Sequence, residues 1–503
     1  MICHAESLVQ PGRLLFITGN TSSSSSPLAG IPWSSLSGRN LHPPCNPCDL
    51  RTKIFTLLTL CLVHSATGAF SDTPPNVVVI FLDDGGYGDF HPFGDPSYPT
   101  PNVERLAAEG GRFNRFFVPQ AVCSASRAAL LTGCYPERTR MFGALMPGEK
   151  GLDRRFATMA EVLKKSGYAT AMFGKWHLGE EPETRPSARG FDESAGLLLS
   201  NDMWDRNNRD PEKWADYHLK FWTNDKVTCE RVTPEFQETL TARAAAELVD
   251  FINRHKASPF FLYVPFTMPH VPLYCSEAFK GKSGAGLYGD VIMELDDAIG
   301  QITAALKANG LEENTIVIMT SDNGPWTLWG NHAGTTPFRE GKNTSFNGGT
   351  QSALIIKYPG KIKAGSSSDA MFCSINLLPT LCHLTGAALP DNEIDGKNLW
   401  PLISGEDGAK NPHAYYPVTF VKKFEAVMSG DGRWKLHLPH DYNHPAKMGR
   451  DGVPGEYEKR QIELSLFDLK ADPGETTNVI AENPEVAEQL QQIAKEHRRK
   501  FYE

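Results

Sequence analysis

The sequence contains no long run of basic residues, and its 50 Lys and Arg are outnumbered by 59 Asp and Glu. The formal net charge of -9 therefore gives no electrostatic support for non-specific binding to nucleic acid. No internal repeat is visible, and no apolar stretch is long enough to cross a bilayer as a helix. The 44 Gly and 36 Pro are spread along the chain, which is typical of a loop-rich globular protein.

The N-terminal region differs in composition from the rest of the chain. Arg51 and Lys53 precede an apolar run at 54–63 and a stretch of small residues, an order that predicts a secretory signal peptide at 51–70. We therefore expect a secreted or periplasmic protein. Because a signal peptide begins near its basic residues, residues 1–50 are expected to be an unstructured leader or the result of a misassigned start. The alternative is an uncleaved buried helix behind a disordered tail.

Beyond residue 73, short runs rich in β-branched residues alternate with helical stretches. Buried strands are predicted at 76–82, 168–173, 259–264 and 315–320. Helices are predicted at 158–166, 239–254 and 288–309. Strands separated by helices predict an α/β fold with a large, mostly parallel or mixed sheet between two layers of helices.

The C-terminal part has a different pattern. Antiparallel strands are predicted at 426–438 and 464–469, followed by a charged amphipathic helix at 484–501. We therefore predict a catalytic domain at 73–395 and a smaller α+β domain with an antiparallel sheet at 396–503.

Each of the four predicted strands is followed by residues that can do chemistry. In chain order they are Asp83 and Asp84, then Lys175 and His177, then His270, then Asp322 and Asn323. Ligands of open α/β sheets bind beyond the carboxyl ends of the strands, so these segments are expected to meet at one site. The alternative for each segment is an ordinary polar loop, because Asp-Gly and Asn-Gly are common turn pairs.

The acidic and amide side chains in this set offer only oxygen ligands. Asp83, Asp84, Asp322 and Asn323 are not accompanied by Cys or His pairs at the spacing of a zinc site. Oxygen donors favour calcium or magnesium, and a divalent cation would remove the repulsion between crowded carboxylates.

The segment from Cys123 to Arg127, Cys-Ser-Ala-Ser-Arg, stands at the predicted start of a helix that ends at Gly133. Cys123 would then face the positive end of the helix, and an unmodified thiolate would be activated there. The alternative is a small buried cysteine beside a helix cap.

Residues 73–395 resemble the catalytic domain of the type I sulfatases of the alkaline phosphatase superfamily, and the arylsulfatase A branch most. The segments 427–436 and 466–478 are similar to the C-terminal part of that family. The resemblance implies an alkaline phosphatase-like fold and the hydrolysis of sulfate esters, with a sulfated carbohydrate or an aryl sulfate as substrate.

The resemblance also implies the cofactors. In that family the Cys of a Cys-x-Pro-x-Arg motif is oxidised to formylglycine by a maturation enzyme, which implies Cys123 here. This sequence has Ala125 where Pro is usual. The implied ligands of Ca²⁺ are Asp83, Asp84, Asp322, Asn323 and an oxygen of the modified residue Cys123.

The catalytic basic residues of the family match Arg127, Lys175, His177, His270 and Lys342. Of these, His270, together with Lys342, is implied to protonate the leaving alcohol, and His177 to take a proton from the hydrated aldehyde. Further residues are expected near the pocket: Ser200 matches the serine that helps position the aldehyde hydrate and is a substrate-binding candidate, and His332 and Arg339 are candidates for substrate recognition or ordinary loop packing. Trp326 and Trp329 are candidates for stacking on a sugar or for packing. Gln351 stands where relatives commonly carry Arg.

Two other functions remain open from the sequence. A phosphomonoester or phosphonate hydrolase of the same superfamily would need similar cationic clamps, although such enzymes more often use Ser or Thr with zinc. A non-catalytic carbohydrate-binding relative would not need every catalytic position to be filled, as it is here.

Overall fold

The computed structural model describes residues 73–330 and 336–503. The leader at 1–50, the signal peptide expected at 51–70 and the candidate residue His332 lie outside the described residues.

A ten-stranded sheet forms the centre of the fold. Its strands are β1 (Asn76–Leu82), β2 (Gly111–Phe117), β3 (Ala169–Lys175), β4 (Glu193–Leu197), β5 (Phe221–Thr223), β6 (Lys226–Cys229), β7 (Phe260–Pro265), β8 (Thr315–Ser321), β9 (Gln351–Lys357) and β10 (Ser366–Cys373). Their order is β10-β2-β9-β8-β1-β7-β3-β4-β5-β6. The central strands from β8 to β4 are parallel, whereas β9 runs antiparallel to both of its neighbours.

Helices lie on both faces of this sheet and also in the C-terminal part. In chain order they are α1 (Pro101–Glu109), α2 (Cys123–Thr132), α3 (Pro136–Thr139), α4 (Met159–Lys165), α5 (Pro211–Trp214), α6 (Pro234–Gln237), α7 (Leu240–His255), α8 (Leu287–Ala308), α9 (Asn347–Thr350), α10 (Leu377–Thr385), α11 (Trp400–Ile403) and α12 (Pro484–Phe501). No helix within 73–330 or 336–503 combines the length and hydrophobicity that a membrane crossing needs.

The alternation of side chains along β1 explains the two layers. Val78 and Ile80 pack with the apolar faces of α7 and α8 on one side of the sheet. Val79 and Phe81 pack on the other side with residues of α2, α4 and α10. Every residue of β1 is buried, as expected for a central parallel strand that is covered on both faces.

The C-terminal part builds a separate four-stranded antiparallel sheet in the order β11-β12-β13-β16. Its strands are β11 (Tyr415–Phe420), β12 (Lys423–Ser429), β13 (Trp434–His437) and β16 (Ser465–Asp468), and β14 (His440–Lys447) pairs with β15 (Glu456–Ile462). Val427, Leu436 and Leu466 form an apolar cluster with Leu490 and Ala494 of α12. The amphipathic helix α12 therefore covers one face of this sheet.

The predicted fold class is confirmed, with two differences in detail. The single strand predicted at 426–438 is two strands joined by a turn. The strands β2, β4, β5, β6, β9 and β10 of the large sheet and β11, β14 and β15 of the C-terminal part were not predicted. The edge strand β10 reads Ser-Ser-Ser-Asp-Ala-Met-Phe-Cys and is only partly buried over its first half, so it lacks the apolar run that marked the central strands.

Candidate active site

The register of the central strands brings two acidic segments together. Leu82 of β1 pairs with Ser321 of β8, so Asp83 and Asp322 leave the sheet at the same edge. The Asp84 amide donates to Asp322 Oδ1 at 3.0 Å, and Asn323 Nδ2 donates to Asp84 Oδ1 at 2.8 Å. The sequence-based expectation that these four residues meet is therefore confirmed.

Three buried cations surround the carboxylates. Lys175 Nζ, at the end of β3, lies 2.5 Å from Asp83 Oδ2, and Lys342 Nζ lies 2.7 Å from Asp84 Oδ1. Arg127 of α2 lies 2.9 Å from Asp322 Oδ2 and 3.4 Å from Asp83 Oδ1. All of these charged groups are withdrawn from solvent, so each interacts strongly with its neighbours.

The three buried carboxylates differ in the direction in which their pKa values are shifted: that of Asp83 is lowered, and those of Asp84 and Asp322 are raised. Burial alone would raise the pKa of Asp83, but the positive groups around it, led by Lys175, hold that pKa well below its usual value. Burial raises the pKa of Asp84 despite its pairing with Lys342. Burial and repulsion from Asp83 raise the pKa of Asp322 to about 7. Keeping all three carboxylates ionised in this buried site therefore requires further positive charge.

The cluster fits a divalent cation. Ligand atoms of Asp83, Asp84, Cys123 and His270 lie within 4.8 Å of one another. The buried Oδ1 of Asn323 has no hydrogen-bond partner among the described residues. An unpaired buried acceptor beside three carboxylates is suited to a hard metal ion.

Cys123 is the first residue of α2, and the helix ends at Gly133 with a left-handed φ of 67°. Its Sγ lies 3.3 Å from Lys342 Nζ and 3.5 Å from Asp83 Oδ1. The expectation of an activated thiolate is wrong, because burial raises the pKa of Cys123 to about 12 in spite of the nearby Lys175 and Lys342. The unmodified side chain is a neutral thiol at physiological pH.

The two candidate histidines are both buried and neutral. His177 Nε2 donates to the Leu145 carbonyl oxygen at 3.0 Å, which leaves Nδ1 without a partner among the described residues. Burial, together with the charges of Lys175 and Arg127, holds the pKa of His177 well below its usual value.

His270 follows β7 and is oriented by two acceptors. Its Nδ1 lies 3.0 Å from Asn201 Oδ1 and 2.6 Å from the Val271 carbonyl oxygen, so Nδ1 carries the proton. Its Nε2 faces Asp84 Oδ2 at 3.7 Å. Burial and the charge of Lys342 hold the pKa of His270 well below its usual value.

The segment after β4 contributes one predicted residue and one that sequence reasoning missed. Ser200 Oγ accepts a hydrogen bond from Lys175 Nζ at 3.0 Å. The unpredicted residue is Asn201, whose Nδ2 donates at 3.2 Å to both Gln237 Oε1 and the Pro272 carbonyl oxygen. These two bonds fix the amide so that its oxygen faces His270. The only sequence signal for this role of Asn201 is its position directly after Ser200.

Three further residues that the sequence singled out are Trp326, which lies beside the charged residues of the site, and Arg339 and Gln351, whose side chains bind elsewhere. The Trp326 ring centroid lies 4.5 Å from Lys342 Nζ and 5.5 Å from the His270 ring. Arg339 donates to Tyr442 Oη at 2.6 Å and to the Glu475 carbonyl oxygen at 3.0 Å, so its guanidinium holds the C-terminal part. Gln351 opens β9 and donates to the Asn114 carbonyl oxygen at 2.7 Å.

Comparison with known proteins decides the family. The family model described as Sulfatase matches residues 75–387. The chain belongs to the sulfatase family. A second model, N-sulphoglucosamine sulphohydrolase, C-terminal, matches residues 341–435 of this sulfatase.

Named relatives cover nearly the same length. Arylsulfatase A of Bos taurus is 36% identical, covering 87% of this chain and 89% of its own. N-acetylgalactosamine-6-sulfatase of Canis lupus familiaris is 34% identical, covering 86% of this chain and 88% of its own. The sulfatase therefore is an enzyme, a sulfuric ester hydrolase.

Solved structures support the same fold. The PsFucS1 sulfatase from Pseudoalteromonas sp. is 26% identical with a TM-score of 0.75, and the match covers 90% of this chain and 95% of that one. The structure of Ps i-CgsB in complex with k-i-k-neocarrahexaose is 25% identical with a TM-score of 0.71, covering 84% and 92%.

Proposed function

We propose that this sulfatase hydrolyses sulfated carbohydrates or aryl sulfates with a formylglycine formed from Cys123 and a Ca²⁺ ion beside it. The observation that carries the proposal is the position of Cys123. Its Sγ lies between Lys342 and Asp83, at 3.3 and 3.5 Å, where the carboxylates meet the three cations. A neutral buried thiol is a poor nucleophile, so this position favours a side chain that is modified before it reacts.

Asp83, Asp84, Asp322 and Asn323 would hold the ion, together with an oxygen on residue 123. A thiol at residue 123, together with the His270 imidazole, would suit zinc. With an oxygen at residue 123 instead, this residue and the four acidic and amide side chains offer only oxygen donors, which suit Ca²⁺. When bound, Ca²⁺ supplies positive charge that favours an ionised oxygen next to it. When formed, formylglycine supplies a hydrated aldehyde, one oxygen of which is the nucleophile.

Three basic residues of the site are assigned to the sulfate group. Arg127, Lys175 and Lys342 would bind the non-bridging oxygens of the sulfate and offset the charge that develops on them. Ser200 fixes Lys175 through their 3.0 Å hydrogen bond. Because these cations are buried and held by carboxylates, they need little reorganisation when the sulfate binds.

Proton transfer is assigned to the two histidines and Lys342. The free nitrogen of His177 is Nδ1, so this atom would accept a proton from residue 123. The nitrogen of His270 that faces the site is Nε2, which becomes a donor to the leaving oxygen only when the ring is cationic. Lys342, whose pKa is raised by Asp84 in spite of burial, already carries a proton in its resting state.

A sulfated carbohydrate is the favoured natural substrate. One relative is named for the 6-sulfate of N-acetylgalactosamine, and Ps i-CgsB is described with a neocarrahexaose. We further propose secretion through the signal peptide at 51–70, activation by a maturation enzyme that accepts Ala125, and the division into parts at 73–395 and 396–503. His332 and Arg339 remain candidates for substrate recognition.

Paired assays test the proposal. Matured protein is expected to hydrolyse an aryl sulfate far faster than the matching aryl phosphate, and a calcium chelator is expected to abolish that activity. Failure to hydrolyse any sulfate ester by protein that carries formylglycine would contradict the proposal and favour a carbohydrate-binding protein. A preference for the phosphate would favour a phosphomonoester hydrolase.

A further inference from the structure

An open pocket of about 630 Å³ lies in the C-terminal part of the molecule. It is bordered by the start of β12, the start of β14, the end of β15 and the last turns of α12. None of its lining residues belongs to the carboxylates, cations or histidines of the candidate active site. Its volume falls within the range of about 300–1,000 Å³ that is usual for pockets that bind small organic ligands.

A buried carboxylate lines this pocket. Glu425 is only 2% exposed, and its Oε1 has no hydrogen-bond partner within the part of the chain that the structure describes. Buried carboxylate oxygens are normally paired, so an unpaired one at a pocket indicates that a ligand or water completes it.

The neighbouring His440 does not supply the missing hydrogen bond. Its Nδ1 donates to the Leu438 carbonyl oxygen at 2.6 Å, and burial lowers the pKa of His440, so the ring is neutral and Nε2 carries no proton. This Nε2 lies 3.2 Å from Ser345 Oγ and 3.5 Å from Glu425 Oε2. Burial also raises the pKa of Glu425 to about 7, so near neutral pH its carboxyl group both accepts and donates. A hydroxyl group of a ligand matches both states.

Positive side chains form one wall of the pocket. Lys422 and Lys423 come from the turn before β12 and Arg498 from α12, and all three are exposed. None of them forms an ion pair with a residue in 73–330 or 336–503. Lys495 stands one turn before Arg498 on the exposed face of α12 and extends the positive surface beyond the pocket. In a chain with a net charge of -9, these cations form a local surface that attracts anions.

The opposite wall offers hydrogen-bond acceptors. Asp441 and Gln461 are paired residues of β14 and β15, Glu463 follows β15, and all three are exposed. An anion without hydroxyl groups would be repelled by Asp441 and Glu463, whereas the hydroxyls of a sugar would donate to them. The two walls together therefore fit a ligand that carries both oxyanions and hydroxyl groups.

We propose that this pocket is a second, non-catalytic site that binds a sulfated segment of a polysaccharide. Sulfate groups bind to Lys422, Lys423 and Arg498, and sugar hydroxyls bind to Glu425 and Asp441. A polymer held here stays at a high local concentration beside the same molecule's active site. The inference goes beyond the proposed function, because binding in this pocket needs no catalytic residue.

The test is the equilibrium binding of full-length protein to three polymers. They are dextran sulfate, uncharged dextran, and poly(vinyl sulfonate), which carries negative charge without hydroxyl groups. Cys123→Ser protein is used so that no sulfate is removed during the measurement. It is expected to bind dextran sulfate at least roughly tenfold more tightly than either of the other polymers.

Variants in the same background locate the binding. Lys422→Ala combined with Lys423→Ala is expected to weaken binding of dextran sulfate by roughly tenfold. Glu425→Met removes the buried acceptor, and Asp441→Ala removes an exposed one whose loss does not endanger folding. Each is expected to lower the preference for dextran sulfate over poly(vinyl sulfonate) by roughly fivefold. The matched control is Lys459→Ala on the exposed strand β15, outside the pocket lining, which is expected to change binding by less than about twofold.

Three results would overturn the inference. They are unchanged binding of dextran sulfate in the double lysine variant, an equal loss in Lys459→Ala, and equal affinity for dextran sulfate and poly(vinyl sulfonate) before any pocket residue is changed. The last result would mean a general anion-binding surface. Aryl sulfate hydrolysis by matured protein reports on the proposed function separately. Its absence contradicts that function and leaves the binding result standing, whereas hydrolysis without the predicted differences in binding contradicts the second site alone.

Discussion

Two buried charged clusters in this protein use the same kinds of residue for different ends. In the C-terminal part, Glu475 Oε1 accepts from Lys435 Nζ at 3.0 Å and from His437 Nε2 at 2.7 Å, and its Oε2 accepts from the Asn347 amide at 2.6 Å. One carboxylate thus has a partner on each oxygen. The cluster joins β13 to α9, which lies close in sequence to Lys342.

The candidate active site is built differently. Three carboxylates crowd together, and burial and mutual repulsion raise the pKa of Asp322 to about 7, whereas Lys435 and His437 hold the pKa of Glu475 at about 2 in spite of burial. Each cluster has a histidine Nδ1 without a partner among the described residues, but of the two only the candidate active site has an unpaired acceptor oxygen, Oδ1 of Asn323. A cluster whose carboxylate has a partner on each oxygen stabilises the fold, whereas one in which carboxylates crowd together beside an unpaired acceptor oxygen is suited to receive a cation and a substrate.

The largest effect is expected from changing Cys123 to Ser. Serine preserves the size of the buried side chain but cannot become the proposed aldehyde by the same conversion of a thiol. We expect turnover of aryl sulfate to fall by at least about a thousandfold. Thermal unfolding serves as the control and should stay close to that of wild type. Full multiple turnover by this variant would contradict the assignment of residue 123.

Completing the acidic cluster with calcium should be required for activity. Asp322→Asn is expected to lower aryl sulfatase activity by at least about a hundredfold, because it removes a ligand charge and the partner of Arg127. In the chelated protein, however, the same change relieves repulsion and should not lower the unfolding temperature. Calcium titrations of activity and of unfolding temperature measure both effects. A strongly lowered unfolding temperature of the metal-free variant would contradict the comparison, because it would show that the acidic cluster stabilises the fold as the Glu475 cluster does.

Glu475→Gln should have the opposite signature. It leaves the buried Lys435 ammonium without its countercharge, so we expect a loss of about 3–5 kcal/mol in the free energy of unfolding. Chemical denaturation gives this value, and Glu456→Gln on the exposed strand β15 is the matched control. At temperatures where the variant is folded, kcat/KM should remain near wild type. A large loss of activity in the folded variant would show that the Glu475 cluster contributes to catalysis and not only to stability.

Asn201 is expected to act by positioning His270. Asn201→Ala removes one of the two acceptors of Nδ1 and leaves the Val271 carbonyl, so activity should fall by only about tenfold. Asn201→Asp would place a negative charge there and raise the pKa of His270, which should move the His270-dependent limb of the pH–rate profile toward alkaline pH. An unchanged profile in Asn201→Asp would rule out this role.

The smallest effect is the pH dependence of stability. The folded pKa of Glu475, about 2, lies below its usual value of 4.5, so its contribution is present above pH 4.5 and is lost as the pH falls toward 2. The pKa of Asp322 is raised from 3.8 to about 7, so without metal its ionisation costs stability as the pH rises between these values. Calcium-free unfolding temperatures at pH 3–8 measure both trends. Glu475→Gln should remove the first and Asp322→Asn the second, and unchanged profiles would contradict the comparison.

The central strands and the acidic residues of the candidate site could be predicted from the sequence, because the apolar runs of the central strands are unambiguous. The run at 76–82 matches β1 residue for residue, and Asp83 follows it directly, so the topology of parallel strands places the acidic residues at one edge. The resemblance supplied Lys342, the conversion of Cys123 to formylglycine, and the family. The antiparallel strand β9 and the half-buried β10 were missed because their pairing depends on distant strands that local patterns do not encode.

The side-chain environment was less accessible. A helix start predicts an acidic thiol, but complete burial reverses that effect for Cys123. The role of Asn201 depends on Gln237 and Pro272, which come from two other segments of the chain. Such networks follow from tertiary packing, and a single sequence does not reveal them.

The measurement that bears most directly on the account is the mass of the tryptic peptide containing residue 123 from active, purified protein. We expect formylglycine or its hydrate in place of cysteine, in a fraction that rises in proportion to specific activity across preparations. Fully active protein whose peptide contains only a cysteine thiol at position 123 would contradict the account.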